Sequence, residues 1–181
     1  MAQEDNPFWR WSLDHYALPG VETVLLRLQD EFGIDVNIAL YCCWRADAGS
    51  HLDDATLREA IEACDAWTAS VIAPLRAARV YLRTAGAAHR DLRNQVKQAE
   101  LDAEYQAQNL LFALASNNTG AAHDGPFAAA RDNLDLYAHA IDAPKAADAL
   151  LRELIDHIFA RRAGGDESRA ETIPDKIRIR P

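Results

Sequence analysis

Asn37, Tyr41 and Trp44 stand at i, i+4 and i+7 within the stretch Ile34-Asp35-Val36-Asn37-Ile38-Ala39-Leu40-Tyr41-Cys42-Cys43-Trp44-Arg45. On a helix that spacing gathers an amide, a phenol and an indole on one face, with Arg45 beside them. Such a set could read a ligand amide or carboxylate. Arg10 and His15 are the polar groups that could complete such a pocket. The structural alternative is that Asn37, two residues past Asp35, bonds backbone at a helix start.

A second group is cationic: Arg76, Arg79, Arg83, Arg90, Arg93 and Lys97, opposed locally only by Asp91. Residues 76, 83, 90 and 97 are seven apart, so one continuous helix would carry them on one face with only about 20° of drift per heptad. This stripe reads first as a solvated charged face paired with Asp53, Asp54, Glu59, Glu62 and Asp65 or with Glu100, Asp102 and Glu104. The functional reading beside it is a contact surface, if the protein has an anionic partner.

Other chemistry is argued against by geometry. Cys42 and Cys43 are helix neighbours whose side chains diverge by about 100°, so they cannot share a metal, and Cys64 lies on an apolar stripe. All three read as core thiols. The carboxylate–histidine pairs Asp135/His139 and Glu153/His157 flank the core faces of their helices and read as surface i, i+4 pairs. No metal site and no cofactor is expected, and Walker, dinucleotide-binding, His-Glu-x-x-His and Gly-x-Ser-x-Gly motifs are missing from the sequence.

These groups must be positioned by helices. From Val36 to Trp44 the only strongly polar residue is Asn37, so a helix there is apolar all round and must be enclosed by others. It is too short for a membrane span, which takes roughly 20 apolar residues. Before it, Pro7 to Tyr16 reads as a short aromatic helix and Val21 to Phe32 as a second, closed by Gly33. A long helix opens at Asp53-Asp54 and should kink at Pro74. Ala85-Gly86-Ala87 is a weak breaker, followed by a second long helix with the apolar series Leu92, Val96, Ala99, Ala103, Ala107, Leu110 and Leu114. Residues 116–126 read as a loop, Phe127 to Ile141 as a helix, and Ala147 to Phe159 as the last one.

The 181 residues, 49% hydrophobic and 26% charged, suffice for one domain, 1–163, with a polar tail, 164–181, expected to be disordered. The net charge of -9 argues against nucleic acid as a partner. Met1 to Asn6 shows no secretory leader, and three cysteines make no disulfide framework, so a cytoplasmic location is expected.

The strings Phe-Trp-Arg-Trp-Ser-Leu from residue 8, Gly-Ile-Asp-Val-Asn at 33–37 leading into the apolar helix, and Gln-Val-Lys-Gln-Ala-Glu-Leu-Asp-Ala-Glu at 95–104 resemble an uncharacterised family of small proteobacterial helical proteins. The resemblance implies a bacterial, helical, cytoplasmic protein and no activity. The fold expected is therefore all-α: about seven helices in one irregular bundle around the short helix at 36–45, with the two long helices antiparallel. The leading functional reading is a non-catalytic interaction or regulatory protein whose partner is another bacterial protein, and self-association is compatible with it. The alternative is a small-molecule-binding enzyme with its pocket at the central helix. A solvent-open cleft at Asn37 would favour the second, an occluded Asn37 beside an exposed apolar patch the first.

Overall fold

The computed structural model describes residues 6–115 and 125–159, and over these the chain is all-α. Eight α-helices occur among the described residues: α1 (Pro7–Tyr16), α2 (Val21–Phe32), α3 (Val36–Asp47), α4 (Asp54–Trp67), α5 (Ala73–Thr84), α6 (Arg90–Ala115), α7 (Gly125–Ala140) and α8 (Asp148–Phe159). The expected seven become eight because a π-helical turn, Thr68–Ile72, divides the long helix into α4 and α5. That turn ends just before Pro74, whose ring would otherwise meet the carbonyl four residues back. The wider i→i+5 turn absorbs the mismatch.

Local chemistry sets the helix ends. Asn6 Oδ1 accepts from the amides of Phe8 and Trp9 at 2.9 and 3.1 Å, Asp35 Oδ1 from those of Asn37 and Ile38 at 2.7 and 3.3 Å, and Asp53 Oδ1 from Thr56 at 2.7 Å. Gly20 opens α2 at φ 91°, where a Cβ would also collide with the His157 imidazole of α8.

Helix α3 is the centre of the bundle, with Ile38 to Cys43 and Arg45 to Ala46 buried. It lies most extensively against α7 and also touches α1, α2, α4 and α6. The three cysteines are free and buried, and burial pushes each thiol well above its ordinary range, so they are poor nucleophiles.

The two long helical stretches form an antiparallel hairpin, turned by Ala85, Gly86 and the 3-10 segment Ala87–His89. Its buried face differs from the expected one. Leu92 and Leu110 are exposed, and α6 instead turns inward the face bearing Glu100, Ala103, Glu104, Ala107, Gln108 and Leu111. No helix among the described residues is long and apolar enough to cross a membrane. The proposed tail, 164–181, and most of the expected loop lie outside the described residues.

Candidate functional site

Of the four residues expected to form a pocket on the central helix, Asn37 lines a cleft at the start of that helix that Tyr41, Trp44 and Arg45 do not line. Tyr41 is fully buried and meets Phe8 edge to face at 5.8 Å between centroids, while Trp44 lies 5.1 Å from Phe8 and 5.9 Å from Phe112. Tyr41 thus joins α3 to α1, and Trp44 joins it to both α1 and α6. Arg45 is buried too, donating to the Ala115 carbonyl at 3.0 Å with its guanidinium 6.0 Å from the Tyr41 ring centre. Past its first turn this helix is largely enclosed, with Tyr41 and Arg45 buried and Trp44 half-buried, so the i, i+4, i+7 line runs from the cleft along the packed interior. Arg10 is exposed, and His15 stacks on Trp11 at 3.9 Å.

The cleft lies at the N-terminal end of α3 and has a volume of ≈ 220 Å³. Helices α1 to α6, the π-helical turn and the α2–α3 corner meet there. The corner is pinned from α7, because the Asp35 amide donates to Tyr137 Oη at 2.9 Å. Polar groups on the wall are Tyr16, Gln29, Asp35, Asn37, Asp65, Thr68, Arg76 and Glu104. Asn37 Oδ1 accepts from Gln108 Nε2 at 2.9 Å, so its amide bonds a side chain across the bundle rather than backbone. Two buried atoms, Gln108 Oε1 and Thr68 Oγ1, have no hydrogen-bond partner among the described residues.

Burial dominates the electrostatics here. It pushes the Glu104 carboxyl up to about 7, with Glu100 and Asp35 adding to the shift and Arg76 opposing it. Burial also raises Asp35, against the two capping amides, and raises the Tyr16 phenol, with Glu22 and Glu104 adding to it. A stability consequence follows for Glu104. Between about pH 4.5, the unfolded value, and about pH 7, the native state binds the extra proton, so native stability falls as pH rises through that window. In urea unfolding, wild type should lose about 1–3 kcal/mol relative to Glu104→Gln on going from about pH 5 to pH 8. Parallel pH profiles for the two proteins would contradict this.

The cationic stripe divides in two. Arg76 Nε donates to Glu100 Oε1 at 3.2 Å and its Nη2 to Glu104 Oε1 at 3.4 Å. Arg79 grips Glu100 with both Nε and Nη2, the second at 3.2 Å. Glu100 is 3% exposed, so this is an internal ionic seam between α5 and α6. Arg83, Arg90, Arg93 and Lys97 make no ion pair among the described residues; the first two are exposed and the others half-buried. A single continuous face does not exist, because the chain reverses at Ala85–Gly86 between Arg83 and Arg90. The internal pairing partners are Glu100 and Glu104. In the acidic run, Asp54 pairs locally with Arg58 at 2.7 Å and Asp53 caps α4.

Glu153 and His157 approach each other at 3.6 Å on α8, and Asp135 and His139 are exposed on α7. Sequence reasoning named Glu100 and Glu104 as pairing partners of the stripe but passed over Gln108 and the burial of all three, although their four-residue spacing runs beside Ala103 and Ala107 and marks a buried polar stripe. Thr68 carried no signal.

The family described as protein of unknown function, DUF2390, matches residues 7–111, and the chain belongs to it. The matched stretch runs from α1 into α6 and includes the cleft lining, the ionic seam and the hairpin turn. No curated protein and no solved structure matches the chain.

Proposed function

We propose that this DUF2390 protein is a non-catalytic bacterial cytoplasmic interaction protein that presents the outer end of the α5–α6 hairpin to an acidic face of another bacterial protein. The observation that carries this reading is that α5 buries no residue at all, while the outer hairpin exposes Tyr81 at 71%, Leu92 at 49% and Val80 at 37%. Exposed aromatic and aliphatic groups beside arginines that make no ion pair among the described residues have the composition of an interface centre. The local charge is opposite in sign to the chain's -9, and that contrast orients an acidic partner on approach. Arg83 and Arg90 are the cations assigned to the contact, with Arg93 and Lys97 at its margin. Arg76 and Arg79 are withdrawn from it by the seam.

The test is photo-crosslinking in bacterial lysate from a reactive side chain placed at Tyr81, with Asp156 on the exposed side of α8 as the control position. A discrete adduct at 81, none at 156, and loss of the adduct in Arg83→Glu/Arg90→Glu are expected. The double variant should keep its stability within about 1 kcal/mol, because exposed charges contribute little. An adduct of twice the chain mass would identify the partner as a second copy. Equal labelling at both positions, or an adduct indifferent to the reversal, would contradict the reading.

The second reading, a small-molecule-binding protein, is favoured by the cleft that Asn37 borders.

A further inference from the structure

We propose that the cleft at the N-terminal end of α3 is a binding site for a small organic cation, an ammonium or guanidinium carried on an aliphatic stem. Three carboxylates, Asp35, Asp65 and Glu104, line it against one cation, Arg76, and that cation is already shared with Glu100 at 3.2 Å. The acids are not all spent on internal bonds. Asp35 uses Oδ1 for both capping amides and its Oδ2 makes no hydrogen bond among the described residues. Glu104 is 8% exposed, lines the cleft, and offers only Oε1 to Arg76, at 3.4 Å, so its Oε2 makes no hydrogen bond among the described residues. A carboxylate so buried and so weakly paired is costly without a further counter-charge.

An anion fits poorly. The two amides at the start of α3 that would hold one are taken by Asp35. Beside its charged groups and the neutral polar groups Gln29, Asn37 and Thr68, the wall carries an apolar part, from Leu26, Ile34, Val36 and Ile72 with the Tyr16 ring, which suits methylene groups rather than a bare metal ion. At ≈ 220 Å³ the space is smaller than a drug-sized pocket of roughly 300–1,000 Å³ and matches a side-chain-sized ligand. The π-helical turn supplies Thr68 with its unpartnered Oγ1, and such turns recur at functional sites.

The experiment is isothermal titration of the full chain with n-butylguanidinium, n-pentylamine, the neutral isostere n-pentanol, and a capped tripeptide with a central arginine. Both cations should bind and pentanol should not. Affinity should rise about tenfold from pH 6 to pH 8 as Glu104 ionises. The groups facing Glu104 are Tyr16 from α1, Asp35 ahead of α3, Asp65 from α4, Arg76 from α5 and Glu100 on α6. Glu104→Gln should weaken the cations about tenfold and flatten the pH dependence. Thermal unfolding of the variant shows that it is folded, and Asn37→Asp, which adds a carboxylate to the wall, should tighten binding. Competition by the tripeptide would assign the cation to a partner's side chain, and failure to compete would assign it to a free metabolite. Equal binding of pentanol, unchanged affinity in Glu104→Gln, or no heat with either cation at millimolar concentration would overturn the proposal.

Discussion

Arg79→Met should lower the unfolding free energy by about 3–5 kcal/mol, read by urea denaturation at neutral pH. The substitution keeps most of the side-chain volume and removes the guanidinium that holds both oxygens of Glu100, a residue 3% exposed. Arg76 alone, at 3.2 Å and one-third exposed, is a weaker counter-charge. The second half of the prediction separates charge from shape. Adding Glu100→Leu to Arg79→Met removes the stranded carboxylate and should recover most of the loss, since a buried ion pair replaced by apolar groups is often neutral. A double variant as unstable as the single one would mean that the seam acts by shape alone.

Asn133→Leu should be of similar severity, about 2–4 kcal/mol by thermal or urea unfolding. Asn133 is 1% exposed; its Oδ1 accepts from the Leu52 amide at 2.7 Å, and its Nδ2 donates to the carbonyls of Cys42 and Ser50 at 3.1 and 3.2 Å. One amide thus ties α7 to α3 and to the chain leading into α4. Leucine fills the space but leaves the Leu52 amide and the Ser50 carbonyl without their bonds in a dry setting. A variant melting within about a degree of wild type would show that water replaces the side chain.

Which features could be read in the sequence follows from how local their causes are. Helix boundaries rest on neighbours: Pro7 at a first turn, Gly33 after Phe32, Asp35 and Asp53 one residue ahead of α3 and α4. Those and the burial of α3 were legible. The cleft was not, because a helix apolar all round has no distinctive face, and nothing in Asn37, Tyr41 and Trp44 says that the first lines this cleft and the other two do not. The division of the stripe was hidden for another reason. Sevenfold spacing has meaning only along an unbroken helix, and the Ala85–Gly86 turn sends Arg76 and Arg79 back onto Glu100 and Glu104. Asn133 was within reach, since it sits three residues after Ala130 and four before Tyr137, in the register of the buried face of α7.

The division of the six cations into a buried seam and a free tip is tested most directly by melting two double reversals side by side, Arg76→Glu/Arg79→Glu and Arg83→Glu/Arg90→Glu. The first places like charges against Glu100 and Glu104 and should unfold well below wild type or fail to fold. The second should melt with wild type. Equal losses in both, or a loss confined to the Arg83/Arg90 variant, would contradict the division and with it the assignment of the hairpin tip as a contact surface.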